Sequence, residues 1–238
     1  MLLRPLRPLL ASVLDPSTLS LTGWYRGSYS GSPWSGTASA GASGSRSIEA
    51  GSAPSTGSAV NGFTPASFVA ASSHYLLDGT NLADAYIAST AYRVVLLVKL
   101  TSSAAPAGAI YDDRGLVTEG GGNWGIVYNT SGVHCYHYDG AYQVASSASA
   151  VATGGWHIID VQYNGTNLTV SVDGTAGTPV AAGTLGSVAA AFRVGTNYAP
   201  AVYADAQIME VILASSDLSA TTAAAFKGYV NSRYALSL

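Results

Sequence analysis

Cysteine is almost missing from this chain: Cys135 is the single one in 238 residues, so no intrachain disulfide can form and stability must come from packing. Charge is scarce as well. Ten Lys+Arg stand against thirteen Asp+Glu, a net of -3, and only 10% of residues are charged. Nucleic acid is therefore not an expected partner, because binding it needs a basic face that displaces counterions from phosphates. Long apolar runs are lacking too. The strongest, Val94 to Val98, is bounded by Arg93 and Lys99 and falls far short of the roughly 20 residues a membrane span requires, so no membrane insertion is expected. What the chain does have is 48% hydrophobic residues and 15 Tyr. That excludes disorder as a description of the whole chain, since disorder needs low hydrophobicity and high charge.

The first residues, Met1-Leu2-Leu3-Arg4-Pro5-Leu6-Arg7-Pro8-Leu9-Leu10, have an apolar stretch broken by two Arg-Pro pairs. No small-residue cleavage site follows, so the pattern departs from a signal peptide. Residues 1–20 are expected to form an extended, proline-stiffened arm that packs on its own domain or on a neighbour. Residues 21–238 then make one domain, a usual length for an all-β fold.

Residues 27–66 are rich in Gly, Ser, Ala and Pro, a composition of loops and short strands. Beyond them, short apolar runs alternate with turn signals. Tyr92 to Leu100 reads as a strand buried on both faces. Asp139-Gly140 predicts a two-residue turn between Gly132–Tyr138 and Ala141–Val144. Asn164-Gly165 predicts a type I′ turn between Trp156–Tyr163 and a strand in which Leu168, Val170 and Val172 alternate with polar residues. Ala206 to Leu213 is a further strand. Leu218, Phe226, Val230 and Tyr234 are spaced for one helical face, with Ser219 in the N-cap position. These features predict a two-sheet antiparallel β-sandwich or jelly roll closed by one short C-terminal helix.

The residues Trp156-His157-Ile158-Ile159-Asp160-Val161-Gln162-Tyr163-Asn164-Gly165, Leu168 to Gly174, Phe192-Arg193-Val194-Gly195, Ala206 to Leu213 and Asp217-Leu218-Ser219 leading to Tyr229–Tyr234 resemble the concanavalin A-like lectin/glucanase family, in its laminin-G-like jelly-roll branch. The resemblance is detailed over residues 156–236 and agrees only in pattern before them. It implies two stacked, curved sheets with ligands on the concave face or the rim loops. It does not imply one function, because such folds carry lectins, hydrolases, adhesion modules and virion proteins.

Glycoside hydrolysis normally uses two carboxylates across the scissile bond. The family's glucanases place theirs as Glu-x-Asp-x-Glu on one strand, and no such run occurs here; Glu210 is alone on its strand, while Glu49 and Glu119 fall in Gly-rich loops. No catalytic residue is assigned and the chain is expected not to be an enzyme. Asp112-Asp113-Arg114 reads as a solvated turn in preference to a calcium rim. His134 and His137 would face opposite sides of a strand, Cys135 sharing a side with His137, so no metal and no other cofactor is expected. His157 alternates with Ile159, Val161 and Tyr163 and reads as a core or edge histidine.

The aromatics are more informative. Trp124, Tyr136, Tyr138 and Tyr142 fall on one hairpin and the strand before it. Sugar C–H faces stack on such rings, and sugar hydroxyls need acceptors such as Asp139 or Asn123. Trp124, Tyr138, Asp139 and Tyr142 are accordingly the expected carbohydrate-binding residues, while packing or a protein interface would use the same tyrosines equally well. Three functions stay open. The first is a non-enzymatic bacteriophage virion component, on capsid or tail, docked to other virion proteins through the N-terminal arm and partnered with a second copy of itself or with cell-surface glycans. The second is a free or cell-surface extracellular lectin module. The third is a polysaccharide hydrolase.

Overall fold

A computed structural model of the protein describes residues 14–36, 46–104, 114–197 and 202–238. Its strands assemble into two sheets. One runs β14 (Thr175–Ala176), β13 (Asn167–Val172), β12 (Trp156–Tyr163), β7 (Tyr92–Leu100), β17 (Ala206–Ala214), β5 (Ala66–Phe68) and β4 (Ser55–Thr56), with β1 (Gly23–Tyr25) joined to β17 and β15 (Val180–Ala181) to β13. The other runs β11 (Tyr142–Ser146), β10 (Gly132–Tyr138), β9 (Trp124–Asn129), β8 (Arg114–Glu119), β16 (Ala191–Val194), β6 (Tyr75–Leu82), β3 (Arg46–Ser52) and β2 (Trp34–Gly36). The pairings are antiparallel. This is the expected jelly-roll β-sandwich.

The core lies between the sheets. Leu96, Val98, Ile159 and Val161 from the first meet Trp124, Ile126, Val133 and Cys135 from the second. A second apolar cluster covers the outer face of the first sheet, where Val95, Leu97, Ile158 and Ile212 pack under Phe226, Val230 and Tyr234 of helix α1 (Ala223–Tyr234). That helix explains why β7 is apolar on both faces: even-numbered residues from Val94 face the other sheet and Val95 and Leu97 face α1. Leu14 and Leu19 pack on this second cluster, on either side of a 3₁₀ turn over Pro16–Thr18. Residues 1–13 of the expected arm lie outside the described residues. Among the described residues no helix is long and apolar enough to cross a membrane.

Three local expectations change. The helix begins later than Ser219: Thr222 is the N-cap, its Oγ1 accepting the Ala225 N–H at 3.1 Å, because Leu218 to Thr221 close a turn first (Thr221 N–H to Leu218 O, 2.7 Å). The β12–β13 turn is centred one residue late. Asn164 N–H donates to Asn167 O, leaving Gly165 and Thr166 between the strands, and of the two only Gly165 has a positive φ (+93°). A single positive φ at the first central position is the type II′ pattern, not type I′. The third is the β10–β11 turn, which holds three residues and not two.

One irregularity in β17 has a large effect. Its register against β7 shifts between Ile208 and Glu210. Strict alternation would put Glu210 on the same face as Ile208, inside the sandwich. The bulge inserts Met209, so Ile208 and Val211 point into the core while Met209 and Ile212 join the helix side. Glu210 then meets α1, accepting hydrogen bonds from the hydroxyls of Tyr229 (2.8 Å) and Tyr234 (2.6 Å) and from Trp24 Nε1–H.

Candidate functional site

Strand alternation divides the β10–β11 hairpin cleanly. Val133, Cys135 and His137 are buried inward, while His134, Tyr136 and Tyr138 point outward and are half-buried. Register then decides what stands beside them. The three-residue loop Asp139-Gly140-Ala141 pairs Tyr138 with Tyr142 and Tyr136 with Val144. A two-residue loop would have paired Tyr138 with Ala141 and turned Tyr142 to the inner face. The extra residue therefore assembles a surface of three tyrosines. Tyr142 is 58% exposed, and its ring centroid lies 5.1 Å from that of Tyr138 at 61° and 6.4 Å from that of Tyr136 at 80°. Edge-to-face packing of this kind fixes the orientation of the three rings relative to one another. The Tyr142 hydroxyl donates to the Gly122 carbonyl at 3.2 Å. On the other flank β9 presents Gly125 opposite Tyr136, so the directly paired position carries no side chain.

Asp139 sits at the tip. Its carboxylate accepts the Gly183 N–H at 2.6 Å, the Gln143 amide at 3.2 Å and the Ala141 N–H at 3.4 Å. These donors, Gly183 foremost, hold its carboxyl below the usual range. A carboxylate has about four acceptor positions, so most of this one's capacity goes to tying the hairpin to the 180s segment. Asn123 is similarly engaged, donating to the Ser187 carbonyl at 2.6 Å.

Trp124 is a correction. It is 1% exposed, faces inward with Ile126 and Tyr128, and its ring meets Tyr92 edge-on at 6.0 Å and 87°. Alternation along β9 puts it in the sandwich core, where no ligand reaches it. The structure thus brings Tyr138, Asp139 and Tyr142 together, drops Trp124, and adds Tyr136 and Val144, which cross-strand register places on the same face.

Other reactive groups are absorbed by the fold. Asp160 is held bidentately by buried Arg93, at 2.9 Å to Nε and 2.6 Å to Nη2. Glu119 accepts the amides of Gly121 (2.8 Å) and Asn123 (3.1 Å), and burial pushes its carboxyl upward despite them. Burial likewise raises the Cys135 thiol to about 12, which leaves it unreactive near neutral pH. His137 is stacked on Tyr92 and hydrogen-bonded to the Gly183 carbonyl at 2.9 Å, with burial drawing its pKa down. His157 pairs with Asp173 at 2.7 Å, and that hydrogen bond raises its pKa. Among the described residues no three or more His, Cys, Asp or Glu are placed to hold a metal. Asp112 and Asp113 lie outside the described residues.

Comparison with known proteins places the architecture. No family model matches the chain, and no curated protein matches it. Solved structures do. The receptor-binding domain of botulinum neurotoxin mosaic serotype C/D is 10% identical with a TM-score of 0.58, over 91% of this chain and 50% of that one. Trypanosoma rangeli sialidase, in complex with the inhibitor DANA, is 12% identical with a TM-score of 0.59, over 90% of this chain and 33% of that one. The binding domain of botulinum neurotoxin DC in complex with SialylT is 11% identical with a TM-score of 0.50, over 72% of this chain and 45% of that one. The chain spans half the length of the first and a third of the second. At these identities the likeness is one of fold: a two-sheet antiparallel β-sandwich found within neurotoxin receptor-binding domains and within a sialidase.

Proposed function

We propose that this chain is a non-enzymatic carbohydrate-binding module, of the concanavalin A-like kind its sequence resembles, whose sugar-stacking surface is the tyrosine face of the β10–β11 hairpin. The observation that carries this reading is the exposed Tyr142 ring set edge-on against Tyr136 and Tyr138. A pyranose presents a C–H face to such a ring, and three rings on one face give it a platform. Hydroxyl partners stand at the rim in Gln143 and the remaining acceptor position of Asp139. Two neighbours in fold support it, being a neurotoxin binding domain in complex with SialylT and a sialidase. The non-enzymatic part rests on Asp160, Glu119 and Glu210, each engaged in hydrogen bonds with donors of this chain.

A glycan array with the full chain tests the proposal. At least one glycan should bind, and Tyr142→Ala should weaken it about tenfold, the worth of one lost aromatic contact. No bound glycan, or binding unchanged in Tyr138→Ala and Tyr142→Ala, would overturn it. Release of reducing sugar from the bound glycan would overturn its non-enzymatic part. The finer expectation, a seat on a phage particle through residues 1–20, is tested by deleting those residues; normal incorporation of the shortened chain into particles would refute it.

A further inference from the structure

Well away in sequence from the tyrosine face, a cleft of about 400 Å³ opens where the chain leaves β1, bounded by Trp24, Arg26, Ser28, Trp34, Ser35 and Arg233. Its size lies in the range of small-molecule sites, about 300–1,000 Å³. The chain carries few cations, yet two of them line this one cleft. Both are held against aromatic rings. The Arg26 guanidinium lies 4.2 Å over the Trp24 ring, and that of Arg233 lies 4.9 Å over Phe63 and 5.5 Å from the Tyr234 ring centroid. Stacking occupies the flat faces of a guanidinium and leaves its N–H edges for acceptors in the plane, the arrangement that recognises a carboxylate bidentately. Arg233 Nε is buried and has no hydrogen-bond partner among the described residues.

The walls are preset. Trp24 is anchored from behind through its Nε1–H to the buried Glu210 carboxylate. The loop after β1 is fastened where the amides of Ser28 (3.1 Å) and Tyr29 (2.9 Å) share the Thr64 carbonyl, and where Trp34 Nε1–H donates to the Arg26 carbonyl at 3.2 Å. Ser28 is held there at a φ of +134°, which L-residues rarely adopt and which concentrates at ligand sites. Two acidic groups lie within electrostatic reach of the arginines. Glu210 acts on Arg233 but is spent on three donors behind Trp24, and Asp15 beside Arg26 is exposed and screened by solvent.

We propose that this cleft binds an acidic sugar, with Arg26 and Arg233 taking its carboxylate and the hydroxyls of Ser28, Ser30 and Ser35 taking its ring hydroxyls. The volume exceeds what a small inorganic anion fills, and the serine-lined wall suits a polyol better than an apolar acid. This site is independent of the tyrosine face, and either can fail without the other.

Calorimetric titration of the full chain with D-glucuronate, D-glucose and acetate tests it at low and high salt. Glucuronate should bind at least about tenfold more tightly than either of the others and lose affinity with salt. Arg26→Ala should weaken it about tenfold or more, as for a lost charged hydrogen bond, and should do so equally in a Tyr142→Ala background, where the tyrosine face is disabled. Arg26 is exposed, so its replacement should not disturb the fold. A second reading needs no variant: glucuronate should shift the NMR resonances of the Trp24 and Trp34 indole N–H groups. The proposal is overturned if glucuronate does not bind, if glucose matches it, if acetate alone matches it, or if Arg26→Ala binds as the wild type does.

Discussion

Glu210 offers the sharpest perturbation, because one side chain joins β1, β17 and α1. Its carboxylate accepts from Trp24, Tyr229 and Tyr234 and is 1% exposed. Glu210→Leu removes the acceptor and leaves three buried donors unsatisfied. At about 1–3 kcal/mol for each, the loss is roughly 3–9 kcal/mol. A whole domain is stable by only about 5–15 kcal/mol, so this variant should be barely folded. Glu210→Gln is different. Its carbonyl can still accept from Trp24 and Tyr229, and the Tyr234 hydroxyl can turn to accept from the new NH₂, so the cost should stay within about 2 kcal/mol. Wild type and Glu210→Gln also separate by pH. Burial pushes the Glu210 carboxyl above its ordinary 4.5, so the folded chain holds that proton more tightly than the unfolded chain. The stability this contributes is full below the ordinary value and is lost as pH rises through the raised one. Gln does not titrate. Wild type should therefore lose stability relative to Glu210→Gln across that window and level off above it. Urea unfolding followed by tryptophan fluorescence, at fixed ionic strength from pH 4 to 8, reads both effects. Glu210→Leu within about 1 kcal/mol of wild type, or a wild-type-minus-Gln difference that stays flat with pH, would refute the reasoning.

Two further outcomes follow from placement. Trp124→Ala should cost about 3–5 kcal/mol because it empties a large core site, whereas Tyr142→Ala on the exposed face should stay within about 0.5 kcal/mol; thermal unfolding compares them directly, and equal effects would contradict the assignment of Trp124 to the core. His157 should titrate above its ordinary 6.5 by NMR because Asp173 holds its proton, and Asp173→Asn should bring the midpoint down. The pair's contribution to stability should be full below 6.5 and fade as pH rises through the raised value, a trend that Asp173→Asn should abolish.

Much of the fold was legible because burial writes itself into period. The unbroken apolar run Val94–Val98 announced a strand covered on both faces, and the 3.6-residue spacing of Phe226, Val230 and Tyr234 announced the helix that covers one of them. The cap was less legible: Ser219 and Thr222 are both competent hydroxyls, and only the turn at Leu218–Thr221 chose between them. At the candidate site, period two was enough to put Tyr136 and Tyr138 on one face. It was equally able to send Trp124 inward, a choice made by which face of β9 meets the other sheet.

By itself, then, the sequence determined the better-patterned strands, β7, β10, β12, β13 and β17, and the terminal helix, since each follows from residues within a few positions of one another. Tertiary structure decided the rest. One additional residue in the Asp139–Ala141 loop set the register that brings Tyr142 beside Tyr138. One bulge at Met209 turned Glu210 from the core toward α1. The cleft of Arg26 and Arg233 exists because α1 folds back over the end of β1, bringing together residues from opposite ends of the chain. The physical reason is the same in each case: a side chain's phase is local, but its partner is set by register and packing between segments far apart in sequence.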